Sequence, residues 1–68
     1  MAISYNKLWK LMIDKKLKKK FLLEEVGLSR STLNHLNHEE HVSTESLMKI
    51  CKALNCDIGD IVSFERQD

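Results

Sequence analysis

Residues 18–37, KKKFLLEEVGLSRSTLNHLN, decide how this chain reads. Leu22 and Val26, then Leu33 and Leu36, form two short apolar sets at helical spacing. Gly27 stands between them, followed by Leu28 and Ser29. Glycine tolerates the left-handed conformation that ends a helix, and a serine hydroxyl accepts from the free amides that begin the next. The spacing therefore predicts two helices meeting at a sharp angle across a few residues, the arrangement of a DNA-binding helix-turn-helix.

Outward from that stretch, one local pattern recurs. An apolar residue precedes a capping residue and a second apolar residue follows four positions after the cap, a hydrophobic staple. It occurs as Ile3-Ser4…Leu8, Leu28-Ser29…Leu33, Val42-Ser43…Leu47 and Cys56-Asp57…Ile61. Leu17-Lys18…Leu22 has the staple with an unsuitable cap. The pattern predicts five helices, near 4–15, 18–26, 29–37, 43–54 and 57–63, with the longest connection around residues 38–42. The first helix carries the stripe Tyr5, Leu8, Leu11 and Met12, widened by Trp9 and Ile13; the fourth repeats it at Leu47, Ile50, Cys51 and Leu54. Ile58, Ile61 and Val62 belong to the fifth, with Phe64 in the tail. Strand-type alternation is absent, so the expected class is all-α.

Sixty-eight residues allow one domain, 1–68, with a small core. At 43% apolar residues, with no proline and two glycines, the composition suits a compact helical fold. No apolar run reaches bilayer length and residues 1–10 lack a signal peptide's apolar centre, so a cytoplasmic protein with reduced Cys51 and Cys56 is expected. The overall charge of +1 hides an asymmetry. Residues 1–20 hold seven lysines against Asp14, a net +6, whereas residues 21–68 hold four cations against nine acids, a net −5. Such a split suggests one face made for an anion.

Lys18, Lys19 and Lys20 stand where the second helix should begin. A helix N-terminus carries partial positive charge, so each cation there costs a few tenths of a kcal/mol and the missing cap about one more. A bound phosphate reverses the sign of both terms. Their other reading is a solvated lysine loop. In the helix that follows, burying Leu33 and Leu36 places Ser31, Asn34, His35 and His38 on the far side, flanked by Arg30 and Asn37 and bordered by Thr32. All are polar and none is acidic. Asparagine pairs with adenine, arginine with guanine, and serine or threonine with several base edges or phosphate. An ordinary wet helix face is the bland alternative.

At this point the chain resembles the Cro and phage-repressor type of helix-turn-helix regulators, the XRE family. The resemblance rests on Leu8 and Leu11, Leu22 and Val26, and the run Gly27-Leu28-Ser29-Arg30-Ser31-Thr32-Leu33. It continues through residues 43–54 (STESLMKICKAL) and 57–61, and covers nearly the whole chain. It implies a five-helix lambda-repressor-like domain that binds double-stranded DNA sequence-specifically, usually as a homodimer on a two-fold operator and often as a repressor. Arg30, Ser31, Asn34 and His35 fall where the family's base and phosphate readers sit. Asn37 and His38 fall at the exit of the reading helix, where backbone contacts are common. With Lys18, Lys19, Lys20, Ser29 and Thr32 these form the expected DNA-binding set. Three departures from the family's pattern stand out. Lys19 replaces a phosphate-gripping Gln, Leu23 replaces a small Ala at the helix crossing, and Glu39-Glu40 replace Gly and basic residues.

Rival readings come from other classes. His35, His38 and His41 are spaced by three, as metal ligands on one helix face could be, but His41 falls beyond the expected helix end and exposed histidines in a polar loop are commoner. Cys51 and Cys56 read as core thiols. No nucleophile–base–acid set or glycine-rich phosphate loop is present, so neither catalysis nor a cofactor is expected. The apolar surplus of Trp9, Met12, Ile13, Phe21 and Phe64 either completes the core, builds a dimer interface, or binds a partner protein, as an antitoxin or anti-repressor would.

Overall fold

The computed structural model describes residues 2–66. Strand β1 (Ala2–Ser4) leads into helices α1 (Asn6–Asp14), α2 (Lys20–Glu24), α3 (Arg30–Asn37) and α4 (Thr44–Leu54). A single 3₁₀ turn (Ile58–Asp60) and strand β2 (Ser63–Glu65) follow. The two strands pair antiparallel, Ala2 with Glu65, Ile3 with Phe64 and Ser4 with Ser63.

This corrects the all-α, five-helix expectation at both ends. Ile3 and Ser4 look like a staple and cap, yet α1 starts after Tyr5, which makes no side-chain cap bond. Ser4 is buried and its hydroxyl accepts from the Asn6 amide at 3.3 Å, while Ile3 packs on the core from a strand. The expected helix over 57–63 contracts to one 3₁₀ turn because residues 63–65 are held by β1. Its start was legible: the Asp57 carboxylate accepts from the Ile58 amide at 2.7 Å, and Asp60 accepts from the Asp57 amide at 2.9 Å, a capping box.

The core comprises Tyr5, Leu8 and Met12 of α1, Leu22, Leu28, Leu36, then Leu47, Ile50 and Leu54 of α4, and Ile61. Three large apolar residues lie outside it: Ile13, which widens the α1 stripe, is 73% exposed, Ile58 46% and Phe64 of the tail 68%. For α1 the reason is angular. Ile13 follows Met12 by about 100° around a helix whose stripe is already filled by Leu8 and Met12.

Helix ends set the angles between these elements. Lys16 (φ 59°), Glu39 (φ 54°) and Asn55 (φ 53°) all adopt the left-handed conformation just after α1, α3 and α4. After each, an amide reaches back to the last turn: Leu17 to the Met12 carbonyl at 2.8 Å, Glu40 to His35 at 2.8 Å, Cys56 to Cys51 at 3.0 Å. This is the Schellman closure, in which glycine is the cheapest occupant. Gly27 (φ 83°) supplies it after α2. The loop from α3 to α4 is pinned by fully buried Tyr5, whose hydroxyl donates to the Glu40 carbonyl at 2.6 Å. Among the described residues no helix is long and apolar enough to cross a membrane.

Candidate nucleic-acid interface

Helix α3 starts on a well-made cap. Ser29 is extended (φ −74°, ψ 159°) and its hydroxyl accepts from the Thr32 amide at 3.1 Å. Its oxygen also lies 2.9 Å from the Thr32 hydroxyl, so both side chains are engaged with each other, and Thr32 is half-buried. Fully buried Leu36 and half-buried Leu33 fix the helix on the core. Arg30, Ser31, Asn34, His35, Asn37 and His38 are all exposed, as the spacing predicts. His38 is partly occupied: its ring Nδ1 lies 2.8 Å from the Asn34 carbonyl and closes the last turn.

Between α2 and α3 runs an open depression of about 500 Å³, lined by Leu23, Arg30, Ser31, Leu33, Asn34 and Asn37. Leu23 is half-buried and, with Leu33, gives this depression its apolar lining. The rim is a guanidinium, a hydroxyl and two amides with no carboxylate, a set of donors and acceptors suited to base edges and phosphate oxygens. Glu39 and Glu40 line no part of it.

Lys18, Lys19 and Lys20 are exposed at the start of α2, where Lys19 holds the cap position and makes no side-chain cap bond. The Lys19 ammonium donates instead to Asn37 Oδ1 at 2.7 Å and lies 4.5 Å from the centroid of the Trp9 ring. Two residues expected to act separately, Lys19 and Asn37, are thus joined across the helix-turn-helix. Trp9 packs half-buried against the core, one of the places the sequence allowed it, and also lies against the Lys19 ammonium. Its place on the shoulder of the α1 stripe permits this position, but nothing in the spacing fixes its distance from residue 19.

Among the described residues no three His, Cys, Asp or Glu side chains gather as a metal-ligand set. Cys51 and Cys56 are free and half-buried. Burial, then the neighbouring Cys51 thiol and the Asp60 carboxylate, lift the Cys56 thiol to about 11, against a smaller opposing pull from Lys15.

Residues 7–67 match the family model of the Cro/C1-type HTH DNA-binding domain. The crystal structure of the transcriptional regulator VanUg superposes with a TM-score of 0.88 at 53% sequence identity, over 91% of this chain and 83% of that one. No curated protein matches.

Proposed function

The chain belongs to the Cro/C1-type helix-turn-helix DNA-binding family, and we propose that it reads double-stranded DNA with α3 in the major groove and acts as a dimeric repressor. Arg30, Ser31, Asn34 and His35 meet base edges and phosphates. The ammonium groups of Lys18, Lys19 and Lys20 hold the backbone on one side, and Asn37 and His38 hold it at the helix exit. Ser29 and Thr32 keep the N-terminal end of α3 in shape for close approach. The observation that carries this reading is the acid-free exposed face of α3 set directly beside three exposed lysines. That VanUg is a transcriptional regulator supports a regulatory role here. The 1–68 chain would act as one DNA-binding domain in the cytoplasm.

The test is a salt titration of binding to a selected site and to random DNA. Lys19→Ala should weaken both alike and lower the slope of log K against log salt by about one. Asn34→Ala should cost about 1–3 kcal/mol on the selected site and little on random DNA. Equal losses on both DNAs for both variants would remove Asn34 from base reading. A selection from random DNA that enriches no motif would favour a protein partner instead.

A further inference from the structure

We propose that the face formed by α4 and the 3₁₀ turn is the contact surface between two copies of this chain, with the two α4 helices packed antiparallel about a two-fold axis near Met48. The surface has a projection and a recess. Met48 is 67% exposed on the outer side of α4. Beside it Thr44, Leu47, Met48, Cys51, Asp57 and Ile58 line a mostly apolar groove of about 260 Å³, with Ile58 46% exposed. Methionine is flexible and fills irregular apolar spaces well. A two-fold contact uses the same patch on both subunits, so it requires a patch complementary to itself. A protruding apolar side chain next to an apolar groove meets that requirement, each Met48 seating in the other copy's groove.

Charge selects the occupant. Glu45 in the first turn of α4 and Lys52 in its last turn share an exposed stripe with Met48. They lie at equal distances on either side of the point between residues 48 and 49, roughly 10 Å apart along the axis at 1.5 Å per residue. Antiparallel packing about that point sets each Glu45 against Lys52 of the other copy, twice per dimer, while the Met48 side chains meet at the centre. Glu45 has a partner within its own helix, Lys49 at 3.8 Å, but the two side chains are 81% and 52% exposed, so the carboxylate is free to turn. None of the Arg30, Ser31 and Asn34 side chains lines this groove, so a second copy leaves the α3 face open.

This inference rests on the dimer proposed above and names its interface; sedimentation without DNA tests it apart from the reading-helix assignment. Wild type should sediment as a reversible dimer at micromolar concentration. Met48→Glu should shift it to monomer, and Ile58→Glu should do the same from the other element should the first variant fold poorly, with circular dichroism reporting the fold. Glu45→Lys should raise the dimer dissociation constant about tenfold, since two attractive surface pairs become repulsive. The double variant Glu45→Lys/Lys52→Glu should recover most of that loss. Its recovery is informative because both exchanges oppose the helix dipole and so weaken α4 itself. A monomer at all concentrations, a dimer indifferent to Met48→Glu and Ile58→Glu, or a double variant no tighter than Glu45→Lys would each overturn the assignment.

Discussion

The Lys19 ammonium is held at one point by Asn37 Oδ1, 2.7 Å away, and by the face of Trp9, whose centroid is 4.5 Å away. Three helices meet at that cation: Trp9 comes from α1, Lys19 caps α2 and Asn37 closes α3. An exposed lysine ordinarily loses rotamer freedom when it grips a phosphate. Here part of that loss is met before any DNA arrives, and the ammonium keeps further donors for an anion. A cation–π contact at an exposed site is worth about 0.5–1 kcal/mol. Trp9→Leu should therefore weaken DNA binding about two- to fivefold, and Trp9→Phe should recover part of it. In a Lys19→Met background the Trp9 change should have little further effect. Anisotropy titrations of the four proteins read the cycle, and losses that simply add would separate Trp9 from Lys19. Trp9 is the only tryptophan in the chain, so its emission should also report the event directly.

The left-handed helix ends make opposite predictions at two positions. Nothing lies within 4 Å of a Cβ added at Gly27, so Gly27→Ala meets no clash and its cost is the backbone alone. With φ at 83° that should lower stability by about 1 kcal/mol. Glu39 at φ 54° already bears such a penalty, about 1–2 kcal/mol for an L-residue. Glu39→Gly relieves it and gives back about half through the freer unfolded chain, so a net gain of about 0.5–1 kcal/mol is expected. Urea denaturation checks both signs.

Those same helix ends mark where the sequence is readable and where it is not. Ser29 and Ser43 sit one position before α3 and α4, and each hydroxyl accepts from the amide three residues on, because a cap is a local interaction written in adjacent residues. Gly27 is legible for the same reason. Lys16 and Glu39 are not, since neither residue type favours the left-handed conformation, whereas Asn55 is partly legible because asparagine tolerates it better than most. The strands are hidden differently. Three residues at each end contain too little alternation to signal a strand, and their pairing joins positions some sixty residues apart. The site divides likewise: the exposed face of α3 follows from periodicity, whereas the Trp9–Lys19–Asn37 junction depends on how three helices meet.

Tyr5 makes a stability prediction that reaches the site. Its hydroxyl donates to the Glu40 carbonyl at 2.6 Å from a fully buried ring. Tyr5→Phe keeps the packing and leaves that carbonyl without its partner. A cost of about 1–1.5 kcal/mol is expected, with faster amide exchange through residues 39–42, the loop that follows α3. Unchanged exchange there would mean that the Schellman closure at Glu39 and Glu40 holds the loop unaided.

Alkaline pH should destabilise the protein through two protonated groups. In the folded chain the Cys56 thiol is raised from its ordinary 9.0 to about 11, chiefly by burial. Burial likewise raises Tyr5 above its ordinary 10.0, opposed in part by a backbone hydrogen bond at Val42. In both cases the folded state favours the protonated form, so the unfolded chain releases its proton first as pH rises. The Cys56 contribution is complete below pH 9 and is lost between about pH 9 and 11. Melting temperature should accordingly hold steady up to pH 9 and then fall. Cys56→Ser should flatten the part that begins near pH 9, and Tyr5→Phe the part that begins near pH 10. A protonated thiol is a poor nucleophile, so at pH 8 folded Cys56 should react with iodoacetamide far more slowly than the same residue in urea. Equal rates in the two states would show that burial does not protect it, and the alkaline loss of stability would then have to come from Tyr5 alone.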